Sequence, residues 1–372
     1  MVIQYKCPSC GADMRFDAET GKLKCGSCGK LMAVDAAAKK GGKRGEEEDS
    51  EEEIRPFQAE EIEDEAEFGH IEREEGSAAF NADEGHQYVC NNCGAVVVTT
   101  TDTTATKCSF CGAPVVLGDR LTGKKAPVWL IPFKITKTQA MDAFRKWCKG
   151  GKLTPKDFMT ADRIKNITGM YVPFWLYDMD GTGEADCTAT RVRTYSQGDY
   201  IYTETKYYHV YRRVHMTYSK VPVDASEKMN DEMMDKLEPF HSSELTHFEM
   251  PYLAGYLAEQ YNYDDNELLP RVRERVGRYA NEYLASTITG YSTVTYNRKD
   301  IQLNPVNARY TLLPVWMVCY DYRDSEHIFA MNGQTGKIVG KPPLSKQKMA
   351  VWFAGISVGV FALMRLVTLF FV

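Results

Sequence analysis

The residues best placed to do chemistry are eight cysteines in four Cys-x-x-Cys pairs. They form two quartets, Cys7, Cys10, Cys25 and Cys28, then Cys90, Cys93, Cys108 and Cys111, each with fourteen residues between its pairs. At this spacing each pair makes a tight knuckle whose two sulfurs point at one ion, and four thiolates satisfy tetrahedral zinc at about 2.3 Å. Gly11, Gly29, Gly94 and Gly112 follow the second cysteine of each knuckle and permit the turn. Two structural Zn2+ ions are therefore expected, one per quartet, with a rubredoxin-like iron site for electron transfer as the alternative that four thiolates also allow. A sphere filled by four thiolates leaves no position for water, so hydrolytic zinc chemistry is not expected there.

The ligands need hairpins to hold them. Met14 to Phe16 can pair with Leu23 to Lys24 around Asp17 to Gly21, and Val96 to Thr100 can pair with Ala105 to Lys107. The second module repeats the first at an offset of 83, with Tyr5 matching Tyr88 and both Cys-x-x-Cys-Gly knuckles matching in place. This indicates internal duplication. A thirty-residue ribbon has almost no core, so metal is expected to supply its stability, about 10–16 kcal/mol of apparent binding energy.

The remaining length asks for further units. Among 372 residues of net charge −6, the stretch Glu46 to Glu75 holds sixteen acidic residues against Arg55 and Arg73, leaving the rest of the chain at +8. Such a segment buries too little apolar surface to offset the entropy of ordering. The expected organisation is zinc ribbon 1 at 1–34, a disordered acidic linker at 35–85 and zinc ribbon 2 at 86–118. An α+β body with antiparallel strands follows at 119–345, then a transmembrane anchor at 346–372.

A weak amphipathic helix is possible within the linker at Phe57 to Ile71. In the body, helices are expected at Thr138 to Cys148, from Thr154-Pro155-x-Asp157, at Pro251 to Tyr261 and at Asn266 to Ser286. Strands are expected at Tyr171 to Asp178, Asp186 to Tyr195, Tyr200 to Tyr218, Tyr310 to Tyr322, Ile328 to Met331 and Lys337 to Val339. Three Pro-aromatic segments, around Trp129, Trp175 and Trp316, suggest repeated β units.

Met349 to Val372 reaches about 36 Å as a helix, enough to cross a hydrocarbon layer of about 30 Å. The competing reading is a buried C-terminal helix of the body. Lys341, Lys346 and Lys348 precede the span and place the soluble part in the cytoplasm by the positive-inside tendency. The N-terminus has no secretory signal pattern, consistent with a reducing compartment and thiolates on metal. Cys148, Cys187 and Cys319 read as plain buried thiols.

Other constellations carry less. His241-x-x-Glu244-x-x-His247 is neither His-Glu-x-x-His nor a helical histidine pair and reads as ordinary surface or capping chemistry. Tyr207, His209, Tyr211, Arg213 and His215 alternate onto one strand face, with Arg191 and Arg193 on a neighbour. Such faces can stack bases and neutralise phosphates, though a packed or solvated sheet face is the plainer reading. Gly333-Gln-Thr-Gly336-Lys337 lacks the length and Ser/Thr of a phosphate loop and reads as a hairpin turn.

Both ribbons, the segment Phe248 to Gln260, and the ending from Leu312-Leu-Pro-Val-Trp-Met through Phe329-Ala-Met-Asn-Gly-Gln-Thr-Gly-Lys-Ile-Val-Gly340 with a following span have a precedent. Together they resemble the bacterial TFIIB-type zinc-ribbon-containing membrane proteins. Members are often labelled primosomal or replication-restart helicase-like, but this sequence has no Walker loop or helicase motor pattern. The resemblance implies association with phage-shock-type or SPFH-type membrane scaffold proteins. The expected function is a non-enzymatic, membrane-anchored zinc-binding adaptor that recruits a protein partner to the cytoplasmic membrane face, with ribbon 1 reaching outward on its linker. The alternative is a nucleic-acid-binding zinc-ribbon protein associated with DNA replication or transcription.

Overall fold

The computed structural model describes residues 2–41, 72–73, 87–89, 96–98, 103–107, 113–117, 126–155, 158, 167–322 and 325–371. Its strands are β1 (Val2–Ile3), β2 (Met14–Asp17), β3 (Lys22–Cys25), β4 (Leu31–Met32), β5 (Glu72–Arg73), β6 (Gln87–Val89), β7 (Val96–Val98), β8 (Thr103–Lys107), β9 (Pro114–Leu117) and β10 (Trp129–Leu130). They continue with β11 (Thr168–Gln197), β12 (Tyr200–Asp224), β13 (Thr246–His247), β14 (Leu257–Glu259), β15 (Thr293–Tyr322), β16 (Ser325–Asn332) and β17 (Ile338–Gly340). The helices are α1 (Val34–Gly41), α2 (Lys137–Gly150), α3 (Asp231–Leu237), α4 (Leu269–Ser286) and α5 (Lys346–Phe371).

One mostly antiparallel sheet runs β1-β9-β8-β14-β11-β15-β10-β13, with β12 on β11 and β16 and β17 extending from β15. The three Pro-aromatic segments lie side by side at its centre: Leu312 of β15 is opposite Pro173 of β11 on one side and Leu130 of β10 on the other. An aromatic cluster fills the core there. Phe133 stacks on Tyr256 at 4.1 Å and meets Tyr171 and Trp316 edge-on at 5.1 Å each. Helix α2 is started by a capping box in which Thr136 and Gln139 exchange bonds, and it buries Ala140, Phe144 and Cys148 at four-residue spacing.

Tyr171 to Asp178 and Asp186 to Tyr195, expected as two strands, are parts of one thirty-residue strand, about 100 Å long at ~3.3 Å per residue. The glycines that look like a break have a packing reason. Residues 181, 183, 185, 187 and 189 are Gly, Gly, Ala, Cys and Ala, all buried on one face, and α4 lies over this arm, the long stretch in which β11 pairs with β12 and β15. A Cβ at Gly183 would come within 3.1 Å of Val214 and 3.5 Å of Leu284 of α4, and one at Gly181 within 2.6 Å of Leu303. Small side chains let the helix settle on the sheet, where Leu284 and Ile288 join Ala185, Cys187, Ala189 and Val210 in a local core. Beyond the Thr190–Thr293 pair the arm continues as a two-stranded tip, closed by Gly198 and Asp199 between Gln197 and Tyr200.

Three further expectations are corrected. Pro251 to Tyr261 is not a helix: a short 3-10 turn, Met250–Leu253, leads into β14, which fills the slot between β8 and β11. Gly255, at φ +97°, makes that change of direction possible. The stretch from residue 35 opens with α1, which buries Val34 and Ala37, so the ribbon's boundary lies inside a helix. Glu72–Arg73 pairs with Asn307–Ala308 of β15, while Phe57 to Ile71 lies outside the described residues. Asp157 and residues 159–166, the proposed helix after Thr154, also lie outside them.

At the arm's base Asp224 is 1% exposed, and its nearest cation, Arg271 Nη1, is 3.5 Å from Oδ1. Burial outweighs the pull of Arg271 and pushes its carboxyl up to about 7. The unfolded value is about 3.9. The native state therefore binds the extra proton between these values, and stability falls as pH rises from about 4 to 7, then levels off. Asp224→Asn is expected to stabilise the protein at pH 8 by about 1–3 kcal/mol and to flatten that decline. Urea-unfolding midpoints in detergent against pH test this; an unchanged or lower midpoint at pH 8 would refute it.

Candidate metal centre

The first quartet is assembled. The sulfurs of Cys7, Cys10, Cys25 and Cys28 all lie within 4.8 Å of one another, with Cys7–Cys28 and Cys10–Cys25 both at 3.5 Å. A tetrahedron with 2.3 Å metal–sulfur bonds has edges of about 3.8 Å, so one ion fits with only slight adjustment. The expected hairpin forms, Met14–Asp17 against Lys22–Cys25, with Met14 opposite Cys25 and Phe16 opposite Leu23.

Each knuckle is closed by a backbone bond to the carbonyl of its first cysteine, Gly11 N to Cys7 O at 2.9 Å and Gly29 N to Cys25 O at 3.0 Å. Gly11 and Gly29 sit at φ +72° and +74°, where only glycine is free of strain. Knuckle amides tune the sulfurs. The amides of Ser9 and Cys10 favour the Cys7 thiolate, and those of Cys28 and Ser27 bring Cys25 down to about 6. Cys28 gains from the Lys30 amide, but the crowding sulfurs of Cys10, Cys7 and Cys25 push it up to about 12. Thiolates gathered this closely repel one another, and a cation at their centre is the group that relieves the repulsion.

The ribbon is neither coreless nor detached, contrary to both expectations. Tyr5, Met14, Phe16 and Leu23 are buried in the same apolar cluster as Leu253, Ala254 and Tyr256 of the body. Phe16 meets Tyr252 at 5.1 Å and Tyr256 at 6.5 Å, and its amide donates to Ala254 O at 2.8 Å. In addition, β1 adds to β9 at the sheet edge, Val2 opposite Leu117.

Cys90, Cys93, Cys108 and Cys111 lie outside the described residues. The backbone flanking them repeats the first module. Lys24 faces Leu31 and Leu23 faces Met32; 83 residues on, Lys107 faces Pro114 and Thr106 faces Val115. The expected pairing of Val96 to Thr100 with Ala105 to Lys107 is not found among the described residues. There, Val96–Val98 pairs with Gln87–Val89, and β8 has its two edges taken by β9 and β14.

The remaining candidates resolve plainly. Tyr207, His209, Tyr211, Arg213 and His215 share one outward face, but its polar groups have partners: His209 lies 2.9 Å from Asp186, and Arg213 lies 3.2 Å from Glu184. Arg191 and Arg193 are on the opposite face, because Thr190, not Arg191, stands across from Tyr207. Arg191 packs over Tyr208 and Tyr291 and donates to Gly290 O. Glu244 accepts from Lys134 and Gln334, and His247 stacks on Trp129 at 4.2 Å, so the His241–His247 segment gathers no ligand set. Gly333 to Lys337 is a hairpin turn, with Gly336 at φ +78° and Asn332 N bonded to Lys337 O at 2.9 Å. Cys148 and Cys187 are buried thiols, and the side chain of Cys319 lies outside the described residues.

One feature was not anticipated, and one expected feature is found in its coarse form. The arm tip exposes Tyr195, Tyr200, Ile201, Tyr202 and Tyr207, of which Tyr200, Ile201 and Tyr207 are 70–75% exposed. The Tyr207 to His215 alternation was a partial signal for it. Helix α5, from Lys346 to Leu366, is the one helix among the described residues long and apolar enough to cross a membrane, and none of it is buried against the body. That is unlike a helix packed into the body.

No family model matches the sequence, and no solved structure matches it. The chain is similar to a protein of Bacillus subtilis (strain 168) described as "Uncharacterized protein YdjG". The two are 50% identical over 369 residues, 99% of this chain and 98% of the relative. An alignment this complete, running through both cysteine modules, the arm and the C-terminal helix, means that the chain belongs to the YdjG family.

Proposed function

We propose that the protein is a non-enzymatic adaptor: α5 anchors it in the cell membrane by a single pass, zinc-stabilised modules brace its body on the cytoplasmic side, and the arm presents a protein-binding tip. The observation that carries this reading is the combination of an apolar helix free of the body with a β arm ending in uncovered aromatic side chains. Aromatic groups of this kind supply most of the binding energy at protein interfaces. Lys341, Lys346 and Lys348 before the helix favour the cytoplasmic orientation, and the free thiols Cys7, Cys10, Cys25, Cys28, Cys148 and Cys187 suit that compartment. Zinc is the ion that best suits four thiolates in a closed site. The repeated strand register supports a second zinc at Cys90, Cys93, Cys108 and Cys111. The resemblance to TFIIB-type zinc-ribbon membrane proteins points to a phage-shock-type or SPFH-type scaffold as the partner class.

The test is affinity capture from detergent extracts, comparing wild type with a Tyr200→Ser, Ile201→Ser, Tyr207→Ser variant. Three interface anchors at about 1–2 kcal/mol each predict at least a hundredfold loss of the partner, with membrane association and metal content unchanged. Capture that ignores the tip, or returns no partner, would refute the reading. Binding of DNA by the extracted protein that weakens steeply with salt would favour the nucleic-acid alternative instead.

A further inference from the structure

Where α5 leaves the body, a cavity of about 310 Å³ opens between the last turns of α2 and the first turn of α5. Its lining is divided. Arg145, Lys149 and Lys348 supply three cations, Cys148, Pro155 and Phe158 supply an apolar wall, and no carboxylate is among the described lining residues. Arg145 contacts the exposed Asp142 through one guanidinium nitrogen, at 3.1 Å.

The cavity's walls are tied together. Lys348 Nζ donates to Thr154 O at 2.6 Å, and Ser345 N donates to Leu153 O at 2.8 Å. Lys152 lies 5.5 Å from the ring centre of Trp352, one turn further along α5. The segment after α2 is thus tied to the first turn of α5. Lys348 is three residues before Val351, and the exposed apolar side chains run from Met349 onward, so Lys348, which shares the cavity with Arg145 and Lys149, sits within roughly 5 Å of the start of the apolar span. In a membrane that is the level of the phosphates, and Trp352 lies where interfacial tryptophans gather.

We propose that this cavity binds the headgroup of an anionic phospholipid, with the phosphate among Arg145, Lys149 and Lys348 and the glycerol end against Phe158 and Pro155. This rests on the membrane reading of α5. A soluble phosphate would satisfy the same cations; the apolar wall and the position at the foot of the span favour the lipid. A bound headgroup would set the tilt of the body on the membrane, because α2 and α5 both contribute to the site.

The test uses the full chain, delipidated in detergent and exchanged into equal phosphatidylglycerol and phosphatidylcholine, with retained lipid read by native mass spectrometry. Wild type should retain phosphatidylglycerol roughly thirtyfold over phosphatidylcholine, the scale expected for two interfacial cations at about 1 kcal/mol each. Arg145→Gln with Lys149→Gln should bring the two lipids near parity, while Lys236→Gln with Lys299→Gln, distant in the fold, should leave the preference intact. No preference in wild type, or an Arg145/Lys149 variant that keeps the wild-type preference for phosphatidylglycerol, overturns the proposal. Displacement of phosphatidylglycerol by millimolar inorganic phosphate would assign the cavity to a soluble anion and also overturn it. Alkaline carbonate washing separates the two readings: wild type that leaves the membrane pellet defeats the anchor itself, whereas wild type that stays but shows no lipid preference defeats the headgroup site alone.

Discussion

Removing residues 346–372 is expected to move the protein from the membrane pellet to the soluble fraction while leaving the body folded. The helix exposes eleven large apolar side chains between Met349 and Leu366, among them Trp352, Phe353, Ile356, Phe361 and Leu363. At about 1.5–3 kcal/mol for each apolar side chain taken out of water, the drive to leave water is on the order of 20 kcal/mol, far above the cost of immobilising one helix. The body loses almost nothing in return. The apolar window within Lys346–Leu366 is not buried against it, and the ties described at its base are Lys348 to Thr154 and Lys152 to Trp352. Carbonate-washed membranes and soluble fractions, probed for wild type and the truncation, decide the matter. A truncation that still pellets would show that another surface, such as the aromatic arm tip, holds the membrane. An insoluble, unfolded truncation would show that α5 is part of the body's core.

Legibility in the sequence tracked how local the governing physics is. The cysteine quartet was readable because knuckle geometry is set within a few residues, and Cys7, Cys10, Cys25 and Cys28 come together accordingly. Helix α2 was equally local: the helical spacing of Phe144 and Cys148 marked it, and its start one residue earlier is set by the cap at Thr136, four residues before Ala140. Helix α5 was legible from composition, though only its lack of contact with the body separates a span from a core helix. The arm was not legible, because Gly181 and Gly183 signal a break in any local reading; the reason for them, α4 lying across that face, is about a hundred residues away in sequence. The stretch from Thr293 to Arg309 was missed for a related reason. One of its faces is solvated, so it is extended by pairing with β11 rather than by its own apolar alternation. Pro251 to Tyr261 misled in the other direction, since an apolar run bounded by proline fits a helix until β8 and β11 claim Leu257–Glu259 as a strand. Nothing local marks Phe16 as a docking residue: the alternation that buries it would be the same in a free hairpin.

That docking shapes the second large effect. Cys25 is 1% exposed, ends β3, and accepts the Cys28 amide at 3.5 Å. Cys25→Ala removes one of four ligands from a site whose metal contributes about 10–16 kcal/mol of apparent binding energy, comparable with the whole stability of a typical domain at about 5–15 kcal/mol. The expected result is the loss of one equivalent of zinc per chain and exposure of residues 2–41 to protease, with the body intact. The body survives because its central aromatic cluster, Phe133, Tyr171, Tyr256 and Trp316, is built from residues outside the ribbon. Phe16→Ala separates metal from docking. Truncating a buried phenylalanine costs about 3–5 kcal/mol, enough to release the ribbon from Tyr252 and Ala254 but too little to empty a four-thiolate site. It should therefore keep its zinc yet gain the same protease sensitivity between ribbon and body. Cys187→Ala, a buried thiol in the arm, should change neither readout. Metal-to-protein ratios by mass spectrometry, read beside limited proteolysis of the three variants, test the scheme. Unchanged zinc in Cys25→Ala would mean that the four sulfurs hold no ion, and loss of zinc in Phe16→Ala would mean that the site cannot form until the body holds the ribbon in place.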